Sequence, residues 1–347
     1  MSESDFASRL VSWQKTHGRH DLPWQQSREP YPVWLSEIML QQTQVITVKP
    51  YFAKFMQRFP TVADLAAAHE DEVLALWSGL GYYSRARHLH KAAQQIVQRH
   101  GGAFPSDSTT LQTLSGIGPS TAAAIASICF GERVAILDGN VKRVLTRHLG
   151  YADDLAQRRH EQALWAHAQV LLPKRAQNMP VYTQAVMDLG ALVCTPRQPQ
   201  CHVCPVRSDC VAHAQGQPEA YPVKTRRLQR RSESWWILVA RTSSGAVWLQ
   251  QRPSQGIWAK LFCLPMFECW DGLSASLPKN ARAQLDTGEV VKHVLTHKDL
   301  FLHPVYWQAP HSWSLAQGQW VAATDWPNLG LPAPVRQLLA AATSSSR

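Results

Sequence analysis

Four cysteines, Cys194, Cys201, Cys204 and Cys210, are separated by six, two and five residues. Thiolates held that closely repel one another unless a soft cation neutralises them, so the spacing implies a metal centre. Two chemistries satisfy it, a [4Fe–4S] cluster and a structural zinc. Zinc sites more often bring two C-x2-C pairs, and only one such pair occurs here. Disulfides would need an oxidising compartment. The N-terminus Met-Ser-Glu-Ser-Asp-Phe is polar and acidic, unlike a secretory or transit leader.

Two carboxylates are placed for acid or electrostatic work. Asp138, in Ile136-Leu-Asp-Gly-Asn140, emerges from an apolar run directly before an amphipathic helix. An aspartate there ordinarily caps the helix, yet the same helix mouth orients a carboxylate and favours its ionised form. Glu37 lies among Val33, Trp34, Ile38 and Leu40 in mid-helix. On a solvated face it is an unremarkable glutamate. Buried, its pKa rises and it becomes a general acid near neutral pH. Gln41 and Gln42 lie one turn on, as base-contacting groups or surface amides, with Thr43 after them.

Leu114-Ser-Gly-Ile-Gly-Pro-Ser-Thr-Ala122 opens an Ala-rich apolar helix. Gly116 and Gly118 allow a sharp turn, and the helix N-terminus behind them offers unpaired N–H groups to a phosphate. With a short helix at 109–114 before it, the segment forms a helix–hairpin–helix pattern that holds a DNA backbone without reading its sequence.

These residues need a scaffold, and apolar spacing predicts a helical one up to Cys210. Helices are expected near 6–13, 33–48, 61–68, 70–77, 84–100, 119–130, 141–149, 157–172 and 178–192. The basic run from Tyr221 to Arg231 reads as a linker, either touching phosphate or serving as a solvated tether. Beyond it the period changes to strands, at 235–241 and 246–251 around Thr242-Ser-Ser-Gly245, then at 290–296, 301–308 and 318–323, with a closing helix at 334–342. The expected division is a helical domain over 1–220 containing the cysteine loop 194–210, a basic linker over 221–232 and an α+β domain over 233–347. A net charge of +10 and a pI near 9.4 point to a polyanionic partner, most economically nucleic acid. No apolar run approaches a membrane span, so a cytoplasmic protein is expected.

The order of Leu22-Pro-Trp24, Ser36-Glu-Ile-Met-Leu-Gln-Gln-Thr43, Gly79-Leu-Gly-Tyr-Tyr83, Gly116-Ile-Gly-Pro-Ser-Thr-Ala122, Leu137-Asp-Gly-Asn140 and the four cysteines resembles the MutY adenine DNA glycosylases. These belong to the helix–hairpin–helix superfamily that includes endonuclease III. The resemblance is strong from about residue 8 to 225 and looser beyond. It implies a mainly α glycosylase fold with an iron–sulfur loop, a Nudix-like α+β C-terminal domain, and a [4Fe–4S] cluster on Cys194, Cys201, Cys204 and Cys210.

The implied substrate is double-stranded DNA carrying adenine opposite 8-oxoguanine or guanine, from which a monomeric enzyme acting at the bacterial nucleoid flips and excises the adenine. By similarity Glu37 protonates adenine at N7, and Asp138 stabilises the oxocarbenium ion or a covalent adduct. Asn140 holds Asp138 or a water, and Tyr82 wedges beside the oxidised guanine. Leu22, Trp24 and Gln42 frame the adenine or the emptied duplex, with Gln41 and Thr43 beside them, and Gln184 stands where some members have Glu. Gly116, Gly118 and Ser120 form the DNA-binding hairpin.

Endonuclease III-like lyases carry a Schiff-base lysine at the position of Ser120, and no lysine occurs between Lys91 and Lys142. A monofunctional glycosylase follows. The C-terminal part lacks the acidic Nudix box, so pyrophosphate hydrolysis is not expected. Leu295-Thr-His297 replaces the family's Phe-Ser-His, leaving Thr296 and His297 to contact the oxidised guanine. The alternatives are an endonuclease III-like enzyme for oxidised pyrimidines, disfavoured by Ser120, and a cluster-bearing DNA binder without catalysis, which would not need Glu37 with Asp138.

Overall fold

The computed structural model describes residues 3–223, 225 and 230–344. The chain forms two compact units, residues 1–66 with 91–227, and residues 67–90 with 228–347. Much of the expected linker, Lys224 and Arg226 to Gln229, lies outside the described residues.

In the order of the chain, α1 (Glu3–His17), α2 (Pro30–Leu40), α3 (Val45–Arg58), α4 (Val62–Ala67), α5 (Glu70–Trp77), α6 (Ser84–His100), α7 (Ser108–Leu111), α8 (Pro119–Phe130), α9 (Gly139–Leu149), α10 (Arg158–Val170) and α11 (Met179–Leu192) lead to the cysteine loop, which α12 (Val211–Ala214) closes. The single helix expected over 33–48 is two. The polar run Gln41-Gln-Thr-Gln44 offers no apolar face, Gln42 takes a left-handed φ of 58°, and the chain restarts at Val45. The first hairpin helix is also shorter than expected, Ser108–Leu111. The core of this first unit joins Phe6 and Leu10 of α1, Ala124 of α8, Val144 of α9, and Tyr182 and Leu189 of α11. Apolar sides on α8 and α11 let both helices be buried along most of their length.

In the second unit, β1 (Arg231–Arg241), β2 (Val247–Gln251), β3 (Phe262–Cys263), β4 (Met266–Phe267), β5 (Asp286–Thr287), β6 (Val291–Val294), β7 (Lys298–Gln308) and β8 (Gln319–Val321) form an eight-stranded sheet. β1 and β2 make the expected antiparallel hairpin. β7 begins before residue 301 because it pairs in parallel with the whole of β1, from Arg231↔Lys298 to Arg241↔Gln308. One face packs Leu238, Trp248, Val305, Trp307 and Trp313 against the short helix α13 (Trp270–Ala275); α14 (Ala333–Ser344) ends the unit.

Residues 67–90 belong with this sheet unit, a discontinuity that a linear division at 220 does not contain. Ser78 Oγ and Tyr83 Oη both donate to the Leu331 carbonyl, at 2.6 and 3.1 Å, and Arg87 donates to the Ala259 carbonyl at 2.8 Å. Lys260 pairs with Glu70 at 3.0 Å.

Candidate active site

In the first unit a cavity of about 200 Å³ opens between the 310 turn Pro23–Gln25, α2, α8 and α11. Its wall includes Leu22, Trp24, Glu37 and Gln184, so the structure brings together four of the residues singled out from sequence. Glu37 is half-buried and lines this space. Burial first, and the charge of Asp138 second, push its pKa from 4.5 up to about 7 against the opposing pull of Arg19. Near neutral pH the carboxyl therefore holds its proton about half the time. No described side chain donates to it.

Asp138 sits where the chain enters α9. It is an N-cap, accepting from Val141 N–H at 2.7 Å, and it is mostly buried. Burial raises its pKa, against the pull of the Val141 and Asn140 amides, Arg143 and Lys142. The helix mouth was expected to favour ionisation outright; desolvation outweighs it. Capping and catalysis are compatible here, because the oxygen that takes the amide leaves the second oxygen for another partner.

Ser120, in the first turn of α8, accepts from Leu137 N–H at 3.0 Å. The hairpin helix is thereby pinned to the segment that delivers Asp138. Gly116 turns the hairpin with a φ of 75°, and Gly118 caps α8 with no side chain in the way of an approaching backbone. Gln41 Nε2 lies 3.5 Å from Thr121 Oγ1, tying the end of α2 to the same hairpin, and Thr43 Oγ1 donates to the Gln41 carbonyl. Gln42 presents its side chain from left-handed backbone, a conformation a non-glycine residue adopts at a cost.

Asn140 accepts from Arg143 at 2.9 Å through Oδ1; the same guanidinium nitrogen donates to the Gly190 carbonyl at 2.7 Å, and Arg143 Nε to the Cys194 carbonyl at 2.7 Å. A Cβ on Gly190 would stand 2.8 Å from the Asn140 Cβ, so only glycine lets α11 pass α9 this closely. Arg147, buried, donates to the Thr195 and Pro196 carbonyls at 2.7 and 3.1 Å and reaches Cys194 Sγ at 3.4 Å.

The four cysteines carry no disulfide. Burial first, and then the charges of Cys194, Cys210 and Cys201, push the Cys204 thiol up to about 12. Four thiolates in that relation demand a counter-cation, which fits an iron–sulfur cluster. The bound cluster would supply cationic iron that neutralises the thiolates and staples the loop.

In the second unit, a cavity of about 610 Å³ is lined by Tyr82, Trp258, His293, Thr296 and His297. Tyr82 has a φ of 48°, flanked by Gly79 and Gly81 at 101° and 76°. Its hydroxyl meets Thr296 Oγ1 at 2.5 Å, and Arg85 lies over its ring at 5.4 Å while donating to the Leu80 and Gly81 carbonyls. The extra charges after His297 are accounted for: Lys298 pairs with Glu233 at 2.5 Å, and Asp299 with Arg230 and Lys292.

Comparison with known proteins agrees with this geometry. Residues 35–169 match the HhH-GPD superfamily of base excision DNA repair proteins, 194–210 the iron–sulfur binding domain of endonuclease III, and 236–341 a NUDIX domain. The adenine DNA glycosylase of Buchnera aphidicola subsp. Acyrthosiphon pisum is 35% identical, over 98% of each chain. The chain belongs to the adenine DNA glycosylase family. The human adenine DNA glycosylase is 41% identical over 77% of this chain and 47% of its own length. The solved structure of a thermostable thymine-DNA glycosylase aligns with a TM-score of 0.54 at 27% identity, covering 61% of this chain and 97% of its own. An endonuclease III–DNA complex aligns at 0.50 over 62% of this chain and 98% of its own, a likeness of fold.

The glycosylase is thus a DNA N-glycosylase specific for adenine, with a [4Fe–4S] cluster on its four loop cysteines. No helix among the described residues is long and apolar enough to cross a membrane. Sequence reasoning passed over three residues at the glycosylase's cavity. Arg19 and Gln25 line it, and Asp188 lies fully buried behind Gln184. A charged residue four positions after Gln184 in an otherwise apolar helix was the available signal for Asp188.

Proposed function

We propose that the enzyme acts on duplexes in which adenine is mispaired with 8-oxoguanine or guanine, flipping the adenine into the cavity bounded by Leu22, Trp24, Glu37 and Gln184. Glu37 delivers its proton to N7 of the purine. The glycosidic bond then breaks with its electron pair leaving on N9, and water adds to the sugar carbon, its released proton restoring the Glu37 acid. Asp138 offsets the positive charge that develops on the sugar. Two carboxylates with separated protonation states suit this division, and the observation that carries it is Glu37, at a pKa of about 7, in a cavity beside Asp138.

Asn140, oriented by Arg143, holds Asp138 or the water. Gln41, Gln42 and Thr43 meet the emptied duplex, and the Gly116–Gly118 hairpin with Ser120 grips a phosphate. Tyr82 wedges beside the oxidised guanine, read by Thr296 and His297. Residues 1–220 supply the chemistry and 233–347 the reading of the opposite base, joined by the linker 221–232. The enzyme works as a monomer, in the cytoplasm at the nucleoid.

The test is incubation of the holoenzyme with duplexes carrying A opposite 8-oxoguanine, A opposite guanine, and thymine glycol, followed by alkaline cleavage. Strand scission at adenine in the first two and none at thymine glycol supports the reading. Cleavage at thymine glycol instead would return it to the endonuclease III type.

A further inference from the structure

A tyrosine that parts stacked bases has to be stiff, and Tyr82 stands on a short loop. We propose that Arg85 is the positioning residue of Tyr82, clamping the loop so that the phenol meets the stack already oriented. This rests on Tyr82 being the group that enters the duplex.

Residues 78–83 join α5 to α6. Gly79 and Gly81 take φ of 101° and 76°, which glycine adopts freely, and Tyr82 follows at 48°. A tyrosine in the left-handed region is disfavoured by its own Cβ, so its surroundings must hold it there. The side chain is also open to solvent, with 43% of its surface exposed. Its hydroxyl meets Thr296 at the tip, the end that must enter the duplex. Restraint that survives insertion has to come from the root.

Arg85, in the first turn of α6, supplies that restraint. Its backbone N–H donates to the Tyr82 carbonyl at 2.8 Å, and Nη2 donates to the Leu80 and Gly81 carbonyls at 3.2 and 3.0 Å. Three successive carbonyls therefore bond to one residue, which fixes the peptides on both sides of Tyr82. The guanidinium carbon lies over the rings of Trp77 and Tyr82, 5.2 and 5.4 Å from their centroids. Trp77 is fully buried and donates from Nε1 to the Gly81 carbonyl at 3.0 Å, so one side of this stack is anchored. Arg85 is itself only 8% exposed, and burial pulls its pKa down to about 10. Withdrawing a cation from water is costly, and a neutral amide would bond the carbonyls without that cost. The planar fork does more: its edge meets carbonyls while its faces meet rings, a combination lysine lacks.

The test is a double-substitution cycle on the full-length holoenzyme, read as single-turnover excision at saturating enzyme from duplexes carrying adenine opposite 8-oxoguanine. Arg85→Met and Tyr82→Ala should each lower the rate by roughly tenfold or more. Added to Tyr82→Ala, Arg85→Met should change it by less than about twofold, because no ring remains to position. Arg85→Lys keeps the charge without the fork and should recover only part of the loss. A 2-aminopurine beside the 8-oxoguanine gives a separate signature. It should brighten as saturating wild type parts the stack, and brighten little with Arg85→Met or Tyr82→Ala. Circular dichroism checks folding, and should Arg85→Met not fold, Arg85→Lys takes its place in the cycle. An equal loss with and without the Tyr82 ring overturns the inference, as does a wild-type rate in Arg85→Met. Unchanged excision and brightening in Tyr82→Ala would instead remove the wedge, and with it the reading on which the clamp rests.

Discussion

The two cavities of this enzyme are built on opposite principles. The smaller one, in the first unit, has Glu37 in its wall, feels Asp138 close by, and sits in front of the buried Arg19–Asp188 pair. The larger one, in the sheet unit, has no carboxylate in its lining and presents hydroxyls, histidines and aromatic rings. Moving a proton and balancing a developing charge require groups whose ionisation is set by burial. Reading a base requires hydrogen-bonding groups and stacking surfaces rather than a carboxylic acid. On the proposed function, chemistry belongs to one cavity and recognition to the other, and substitutions in each should fail differently.

Glu37→Gln should have the largest effect, lowering excision by at least about a thousandfold with mismatch binding nearly intact, since the amide cannot deliver a proton. Gel-shift titration beside single-turnover cleavage checks both; excision within tenfold of wild type would remove the acid. The same substitution should stabilise the fold at high pH. Folded Glu37 keeps a proton up to about pH 7, whereas the unfolded residue loses it near 4.5. Wild-type stability should therefore fall across that window, by up to about 3 kcal/mol, and Glu37→Gln should flatten the dependence in thermal melts.

Asp138→Asn should cost about a hundredfold to a thousandfold in excision, because asparagine still caps α9 but cannot balance a cation. Loss of fold together with activity would show that capping is the aspartate's whole contribution. A finer measure of the contrast is pH. The active form of Glu37 is protonated, so the single-turnover rate should hold below pH 7 and fall above it, about tenfold per unit. Asp138→Asn should move that fall to lower pH by removing a charge that raises the Glu37 pKa. Thr296→Val is the smallest change, expected to reduce the preference for 8-oxoguanine over guanine opposite adenine about fivefold and leave the pH profile untouched. A shifted profile there would blur the division between the cavities.

Much of the catalytic arrangement was legible because its signals are local. The cysteine spacing, the two-glycine hairpin and an aspartate at a helix mouth each announce themselves within a single short segment. Glu37 was less legible: its own helix admits a solvated face, and only α8 and α11, distant in sequence, close the cavity around it. The break at Gln42 was hidden by apolar residues on both sides whose spacing continues in register across it. Residues 67–90 read as ordinary helices; their bonds to Leu331 and Ala259 span more than 170 positions, and periodicity carries no such information.

Gly190 makes no contact with a base and carries no group that reacts, yet its bare backbone has a consequence for which changes the enzyme tolerates. Gln184 and Asp188 stand on the same helix, and two residues beyond Asp188, Gly190 touches Asn140, close to Asp138 in the chain. One stiff rod therefore gauges the distance between the wall that grips the base and the carboxylate that serves the sugar. A single added methyl would act as a shim, overlapping Asn140 by enough that α9 must back away. Damage of that kind would leave every catalytic side chain present and spoil only their alignment.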